Sequence, residues 1–503
     1  MTHHSDIKAS FEALQINFCD HHENYFNDEM EKTVVVVPSL TLDYEILSKI
    51  KGHFYYEERM LCMLMLLKIE KTYVTFISSL PISPLIIDYY LHMLPDINVD
   101  ECRKRLTLIS CYDSRSLPLT NKILNRPRLI QRIIRSLHNP ENSHLVCFNV
   151  TEHEMELSAK LHIPLYGSHP DLNYLGSKSG SRKLFKQCGM PLPYGFEDIY
   201  SMEELFMALQ KIYENNDQTQ KAVIKINEGF SGDGNAIFSY DGIPVEKENQ
   251  LDWIRNNLKI NLKIVAKKLK YKDFIKKLMT MGGVAETFLD GEVITSPSVQ
   301  CRINPNHDIC IISTHDQVMG GESSQVFLGA IFPADHEYAT SLAQMCHPLA
   351  KHMAQLGVLG RFGIDFMSIK KNGHWYHRAI EINLRKGGTT HPFLMLQFLT
   401  NGSYDADSGT YLLPDGEKRY YFATDNIQNN AYKGLTPTDL LDIVFRHDLH
   451  YNHEKAQGIM FHLISALSQY GKIGLVSIAD TKERALEYYT KVIHILNMET
   501  GEN

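Results

Sequence analysis

Long apolar runs are missing from this 503-residue sequence. The longest, Met60 to Leu67, is far shorter than the roughly 20 residues that a membrane-spanning helix needs. The N-terminal stretch MTHHSDIKAS contains no apolar segment of the kind found in signal peptides. We therefore expect neither a signal peptide nor a membrane anchor.

The sequence also lacks an excess of positive charge and any regular cysteine spacing. Its net charge of −8 argues against a general attraction to nucleic acids or to anionic membranes. Nine cysteines are scattered without a C-x-x-C pair, and an odd number of them fits free thiols better than a disulfide framework. These features predict a cytoplasmic protein.

In the first third of the chain, short β-branched runs alternate with helix-length amphipathic stretches. The predicted strands are TVVVV (33–37), YVTFI (73–77), LTLIS (106–110) and HLVCFN (144–149). Such alternation predicts a parallel α/β layer. We assign residues 32–174 to this domain and expect residues 1–31, which are polar, to be a loosely packed arm.

The pattern then changes to hairpins. A serine-rich segment opens a helix at 177–193, a strand follows at 221–227, and several strand-like runs between 293 and 383 predict a mostly antiparallel sheet. We expect one domain at 175–417, with a small lobe at about 221–293, and a C-terminal domain at 418–503.

Two of the predicted strands carry polar residues where aliphatic ones are expected. In EINLRKGGTTHP (381–392), Glu381 and Asn383 alternate and therefore share one face. Asp365 interrupts the preceding strand, and a three-residue loop at 371–373 would place it on that same face. A two-residue Asn-Gly turn would place it on the opposite face. The first geometry gathers three oxygen donors suited to Mg²⁺, and the alternative is a hydrogen-bonded polar cluster.

A lysine and a glycine-rich loop provide a second polar element. Lys225 lies in a predicted strand, and EGFSGDGNA (228–236) follows it. Glycines let backbone N–H groups approach phosphate oxygens, and a lysine adds a point charge. The loop lacks the G-K-[ST] of a P-loop, so an ordinary hairpin is the alternative. ETFLDGE (286–292) is likewise either a hairpin or a strand edge that presents backbone groups to adenine and a carboxylate to ribose.

These elements, in this order, resemble the ATP-grasp superfamily over roughly residues 175 to 400. The resemblance implies an α/β fold, α+β in the grasp itself, in which two lobes clamp ATP. It implies a metal site at Asp365, Glu381 and Asn383, with Mg²⁺ as the metal and Mn²⁺ as an alternative. The nucleotide-binding residues that it implies are Lys178, Lys225, Gly232, Gly234, Glu286, Thr287, Leu289 and Glu292.

Further motifs resemble a narrower group, the pheganomycin-type peptide ligases with a pre-ATP-grasp domain. They include LPLTNKILNRPRLI (117–130), STHDQVMGG (313–321) and FHLISALSQYGKIGLVSIAD (461–480). One departure is Gly363, where many ligases of the superfamily carry an arginine two residues before the metal aspartate. The resemblance therefore leaves Arg385, together with Lys225, as the candidate catalytic cations.

The resemblance implies an ATP-dependent carboxylate–amine ligase that acts through an acyl phosphate on an amino acid or peptide. Its substrates would be small molecules or peptides, and the protein could form a homo-oligomer. Candidate substrate contacts are His315, Asp316, Gln317, Gly387, Gly388 and Thr389. A phosphotransferase and a nucleotide-binding regulatory protein are the competing functions.

Overall fold

The computed structural model describes residues 2–42, 44–215, 219–228, 234–266, 269–320 and 326–501. The first part alternates strands with helices, as the sequence predicts. Its elements are α1 (Thr2–Asp20), α2 (His22–Phe26), β1 (Lys32–Val37), α3 (Tyr44–Leu47), a 3₁₀ segment (His53–Lys68), β2 (Thr72–Ser78), α4 (Pro84–His92), α5 (Val99–Lys104), β3 (Leu106–Ser110), α6 (Leu119–Leu124), α7 (Pro127–Arg135), a 3₁₀ turn (Pro140–Asn142), β4 (His144–Cys147) and α8 (Glu152–Leu161).

The strands of this part form a parallel sheet in the order β3-β2-β1-β4. Every residue of β1 is buried. A parallel strand that is covered on both faces has a continuous apolar sequence, which accounts for the consecutive valines from Val34 to Val37. The predicted parallel α/β layer is confirmed.

The N-terminal arm is helical and packed, so the expectation of loose packing for residues 1–31 is wrong. Helix α1 lies against α8. Phe11 and Phe18 are fully buried, and Tyr25 is 2% exposed. Phe11 and Phe18 are seven positions apart, about two helical turns, and therefore lie on one side of α1. The polar composition of the arm concealed this apolar stripe.

The next part forms a small lobe around an antiparallel sheet in the order β5-β9-β6-β7-β8. Its first strand precedes residue 221, so the lobe begins earlier than we expected. The elements are a 3₁₀ segment (Pro170–Gly176), α9 (Lys178–Gln187), β5 (Gly195–Phe196), α10 (Met202–Asn215), β6 (Lys221–Ile226), β7 (Asn235–Ser239), α11 (Lys247–Asn261), β8 (Leu262–Ile264), α12 (Tyr271–Met281) and β9 (Gly283–Thr287).

The remaining strands form a large antiparallel sheet in the order β14-β13-β10-β11-β12-β17-β19-β18. The elements are β10 (Val293–Ile303), β11 (Ile309–Gly320), β12 (Val326–Phe332), α13 (Ala339–Gln355), β13 (Gly360–Lys371), β14 (His374–Asn383), α14 (Thr390–Thr400), β15 (Ser403–Asp405), β16 (Thr410–Leu412), β17 (Tyr420–Gln428), a 3₁₀ turn (Asn430–Tyr432), α15 (Pro437–Arg446), β18 (Gly458–His462), α16 (Ala466–Tyr470), β19 (Lys472–Ala479) and α17 (Lys482–Glu499). Because β17 pairs with β12, this sheet continues across the predicted boundary at residue 418.

Helix α13 covers one face of the large sheet and thereby defines the other. Val299 and Cys301 of β10 and Phe362 and Ile364 of β13 pack with α13 in one core. Alternate residues of the same strands must therefore point to the opposite face, which looks toward the small lobe and the N-terminal domain. Asp365 belongs to this second face.

All nine cysteines are free thiols, in agreement with the cysteine spacing. Within the described part of the chain, no helix is both long and apolar enough to cross a membrane.

Candidate active site

Asp365, Glu381 and Asn383 come together on the second face of the large sheet, but not by the loop that we expected. Strands β13 and β14 pair Lys371 with His374, so the turn has two residues, Asn372 and Gly373, with φ of 50° and 77°. Both values are those of a tight hairpin turn. The expected three-residue loop is therefore wrong.

A β-bulge compensates for the shorter turn. Phe366 pairs with Ala379 but Asp365 pairs with Glu381, so Ile380 is an extra residue on β14. With the two-residue turn alone, Asp365 and Glu381 would point to opposite faces of the sheet. The extra residue returns them to the same face. Asp365 and Glu381 consequently lie opposite each other.

The amide of Asn383 bridges the two carboxylates. Its Nδ2 donates to Asp365 Oδ2 at 2.8 Å and to Glu381 Oε1 at 3.4 Å, while Arg385 donates to its Oδ1 at 3.1 Å. We expected the amide oxygen to point inward, and this detail is wrong. Carboxylates only accept hydrogen bonds, so the amide nitrogen is the group that satisfies both.

Cations and a second amide surround this cluster. Lys178 of α9 forms an ion pair with Glu381. Gln317 of β11 donates to Asp365 Oδ1 at 2.9 Å. Arg385, on the strand extension, donates to the Lys386 carbonyl at 3.1 Å as well as to Asn383. Three structural segments thus converge on two carboxylates.

The two carboxylates have unequal proton affinities. Burial, and after it the negative charge of Glu381, raise the pKa of Asp365 to about 7. Burial also opposes ionisation of Glu381, but Lys178, Lys225 and Arg385 hold the pKa of Glu381 below its usual value. A divalent cation between them would offset the repulsion between the two carboxylates, which is one of the causes that raise the pKa of Asp365.

The donor chemistry of this cluster fits Mg²⁺ in part. Asp365 and Glu381 supply hard oxygen donors, and Asn383 could add a third if its amide turned its oxygen inward. Among the described residues, no group of three or more His, Cys, Asp or Glu side chains is arranged to hold a metal. A cation here would therefore need further oxygens, such as those of phosphate.

Lys225 lies on the small lobe and faces this cluster. Its charge contributes to the low pKa of Glu381 across the cleft. It also forms an ion pair with Glu286 of β9, and both side chains are almost entirely buried. The structure thus brings together two residues that the resemblance assigns to phosphate and to adenine.

Arg182 completes this ion pair, and the sequence reasoning missed it. Its NH1 donates to Glu286 Oε2 at 2.8 Å, and the side chain is 2% exposed. Arg182 follows Lys178 by one helical turn in α9, so both reach toward the cleft. That spacing is a signal by which the sequence could have revealed it.

The other residues that the resemblance assigns to the nucleotide are Thr287, Leu289, Glu292, Gly232 and Gly234. The N–H of Thr287 donates to the Tyr194 carbonyl at 2.8 Å, so it is occupied within the small lobe. Leu289 is half-buried and Glu292 is exposed. Gly234 accepts a backbone hydrogen bond from Ile226, and Gly232 lies outside the described residues.

The structure separates the candidate substrate residues on β11. His315 is fully buried, and its Nε2 lies 2.6 Å from the Tyr421 hydroxyl. Burial lowers the pKa of His315 to about 3. Asp316 accepts from Tyr338 at 2.6 Å, on the opposite face of the sheet. Of the three residues, Gln317 is the one in contact with the cluster.

The loop after β14 carries the other candidate substrate residues. The N–H of Gly387 donates to Thr390 Oγ1 at 2.9 Å, and Gly387 lines a cleft toward the N-terminal domain. Gly388 is exposed, whereas Thr389 is buried at the start of α14. The loop therefore places Gly387 beside a cavity and Thr389 inside the protein.

Two family models match the chain. Residues 170–269 and 263–407 match the family described as IQCH-like, ATP-grasp, and residues 439–492 match the PGM1 C-terminal domain. The L-propargylglycine–L-glutamate ligase of Streptantibioticus cattleyicolor is 24% identical over 473 residues, which cover 93% of this chain and 94% of that protein.

IQ motif-containing protein H of Danio rerio is 20% identical over 518 residues, covering 93% of this chain. The match covers 48% of that longer protein.

Solved structures share the fold. The biotin carboxylase domain of 2-oxoglutarate carboxylase from Hydrogenobacter thermophilus has a TM-score of 0.52 and 14% identity, covering 91% of this chain and 88% of that one. Biotin carboxylase from Campylobacter jejuni has a TM-score of 0.52 and 14% identity, covering 92% and 90%. At this identity, the likeness is one of fold.

Proposed function

We propose, from the premise that residues 170–407 are an ATP-grasp domain, that the chain is an ATP-dependent carboxylate–amine ligase. The observation that carries the proposal is the cluster of Asp365, Glu381 and Asn383, which faces Lys225 across the cleft. The relative from Streptantibioticus cattleyicolor, which spans nearly the whole chain, is named as a ligase of two amino acids.

In the proposed reaction, the carboxylate of one substrate attacks the γ-phosphorus of ATP. A bond forms between a carboxylate oxygen and phosphorus, and the bond from the γ-phosphorus to the bridging oxygen breaks to leave ADP. The amine of the second substrate then attacks the acyl carbon, phosphate leaves, and the amine loses a proton. An amide and inorganic phosphate are the products.

The side chains of this chain act by position and charge. Lys225 and Lys178 bind phosphate oxygens, and the Arg385 guanidinium lies where negative charge develops on the transferred phosphoryl group. Asp365, Glu381 and Asn383 would hold Mg²⁺, which neutralises phosphate charge when it is bound. Mn²⁺ has the same preference for oxygen donors and is the alternative metal.

The ion pairs of the cleft suggest how ATP enters. Lys225 is held by Glu286, and Lys178 by Glu381. Phosphate oxygens can replace Glu286 and Glu381 as the anions bound to Lys225 and Lys178, so each lysine keeps an anionic partner. A metal ion bound to Glu381 then replaces the positive charge of Lys178. Glu286, which retains Arg182, does not lose all of its positive partners.

The remaining features of the proposal concern substrates and setting. We propose amino acids or short peptides as substrates, in keeping with the name of the ligase relative. Nine free thiols favour a reducing, cytoplasmic setting. The assignments of Glu292 to ribose and of Thr389 to substrate stay predictions.

Release of inorganic phosphate from ATP tests the proposal. A ligase releases phosphate only when both a carboxylate and an amine substrate are present. A phosphotransferase transfers phosphate to an acceptor that keeps it, and a regulatory protein does neither. The Glu381→Ala variant is the negative control, and amine-independent release at the wild-type rate would contradict the ligase.

A further inference from the structure

Gln300 of β10 lies on the same face of the large sheet as the carboxylate cluster. In the register of β10 and β13, Gln300 pairs with Gly363, two residues before Asp365. Directly paired residues of antiparallel strands project to one face. Val299 and Cys301, which flank Gln300, point instead into the core with α13. The register therefore directs the Gln300 side chain to the face that carries the cluster.

Glycine at position 363 lets the Gln300 carboxamide lie across β13. A Cβ atom at Gly363 would be 2.7 Å from Gln300 Nε2 and 3.4 Å from Gln300 Cδ. On its other side, Gly363 pairs with Asn383 of β14. The carboxamide thus lies on the path from β10 to Asn383, which hydrogen-bonds both carboxylates of the cluster and accepts from Arg385.

The Gln300 carboxamide is buried, and the chain supplies no partner for it. Gln300 is 6% exposed, and its side chain forms no hydrogen bond within the ranges that the structure describes. The other two amides beside the cluster are engaged, since Gln317 donates to Asp365 at 2.9 Å and Asn383 donates to both carboxylates. Buried polar groups in native proteins are nearly always hydrogen-bonded, and an unpaired one is destabilising. An unpaired amide beside an active site therefore points to a functional role.

Ser298, two residues before Gln300, shows the same feature. It pairs directly with Asp365 and is 1% exposed. Its hydroxyl group is buried without a hydrogen-bond partner among the residues described. Two side chains of β10 thus project toward the cluster with hydrogen-bonding capacity that the chain does not use.

We infer that the Gln300 carboxamide donates a hydrogen bond to the carbonyl oxygen of the acyl phosphate while the amine attacks. This role of Gln300 rests on the proposed ligase function. As the carbon–nitrogen bond forms, the π electrons of the carbonyl group move to its oxygen, which becomes an oxyanion. The carbonyl bond then re-forms, phosphate leaves with the electrons of the carbon–oxygen bond, and the amine loses its proton to solvent. A donor that is already in place stabilises such an oxyanion without reorganisation.

The charges around the cluster favour the carbonyl oxygen over a phosphate oxygen as the acceptor. Lys178, Lys225 and Arg385 already supply positive charge for the phosphoryl group. Gln300 is uncharged and approaches from β10, whereas Arg385 approaches from the end of β14. Diagonal neighbours such as Gln300 and Asp365 have Cα atoms about 7–8 Å apart, which is within reach of a long side chain. The carboxamide can therefore contact an acyl group held beside the cluster.

Gln300→Met tests this role, because methionine keeps an unbranched side chain and removes the amide. We expect amine-dependent phosphate release to fall by about 100-fold, as for the loss of one oxyanion donor, with ATP affinity in calorimetry unchanged. The melting temperature should equal that of the wild type or rise, because the variant removes an unpaired buried amide. The matched control is Gln131→Met, on the exposed face of α7. A wild-type rate would overturn the inference, and so would a lower melting temperature, which is the result expected for a structural amide.

Gly363→Ala supplies a second test that leaves the glutamine in place. The added Cβ would lie 2.7 Å from Gln300 Nε2, so the carboxamide must move. We expect the rate to fall by about 10-fold in the wild-type background and by little more in the Gln300→Met background, since both changes act on one group. Equal fold losses in the two backgrounds would show independent effects and overturn the inference.

The wild-type protein separates this role of Gln300 from the ligase function itself. If the wild type releases no phosphate with any pair of carboxylate and amine substrates, the ligase function is wrong and the role of Gln300 with it. If the wild type is active and Gln300→Met is equally active, the ligase function stands and only the role of Gln300 is wrong.

Discussion

Replacement of Arg182 by methionine tests the buried ion pair beneath the cleft. Arg182 NH1 lies 2.8 Å from Glu286 Oε2, and their side chains are 2% and 4% exposed. Methionine keeps an unbranched side chain of similar reach, so the variant removes the charge with little change in packing. Glu286 keeps Lys225 as its remaining cationic partner.

The expected loss of stability follows from this geometry. A hydrogen bond to a charged group contributes about 1.5–3 kcal/mol. Complete loss of the partner of a buried charge costs about 3–5 kcal/mol. Because Lys225 remains, we expect a value near the lower range, about 2 kcal/mol. With a urea slope of about 2 kcal/mol per molar, the unfolding midpoint should fall by about 1 M.

Fluorescence of Trp253 provides a local measurement. Trp253 packs against Phe238 in the small lobe, and Trp375, the other tryptophan, lies on β14. In a Trp375→Phe background, urea unfolding would report the small lobe alone. The matched control is Arg128→Met, an exposed arginine on α7. A midpoint equal to that of the control would refute the reasoning, and so would unchanged ATP affinity, because Lys225 should be held more firmly by Glu286.

Four further substitutions test the cleft and the hairpin. Lys225→Ala should weaken ATP binding, measured by calorimetry. Glu381→Ala should mainly remove turnover in steady-state assays, because the metal stabilises the charge that develops in the transition state. Unchanged turnover in Glu381→Ala would contradict this. Arg385→Lys should lose about ten- to a hundredfold in rate, with ATP affinity nearly unchanged, since one to about 3 kcal/mol of oriented hydrogen bonding disappears; a wild-type rate would exclude the catalytic role. Gly373→Ala should lower the free energy of unfolding by roughly 1–2 kcal/mol because φ is 77° there, and an unchanged melting temperature would argue against the two-residue turn.

Local patterns in the sequence determined the elements and much of their order. The consecutive valines of β1 require burial on both faces, which a parallel sheet with helices provides. Ser177 caps α9 by accepting a hydrogen bond from the Gly180 N–H, as the serine-rich segment predicts. Strand parity alone placed Glu381 and Asn383 on one face. These features depend on neighbours in the chain, so the sequence suffices for them.

The tertiary structure decided how distant segments meet. The sequence contains no sign of the bulge at Ile380, because bulges follow from the pairing of two strands rather than from one strand. Without it, the two-residue turn would have carried Asp365 to the other face. The hidden packing of Phe11 and Phe18 likewise depends on a partner, α8, that lies far along the chain.

The charged residues of the cleft also show which features the sequence determines and which require the tertiary structure. The sequence identifies Lys225 and Glu286 as nucleotide-binding candidates, and only folding joins them with Arg182 in one buried group. The spacing of Arg182 from Lys178 could have shown that both lie on one side of α9, but electrostatic interactions depend on distance in space and on burial, so the ion pair itself required the fold.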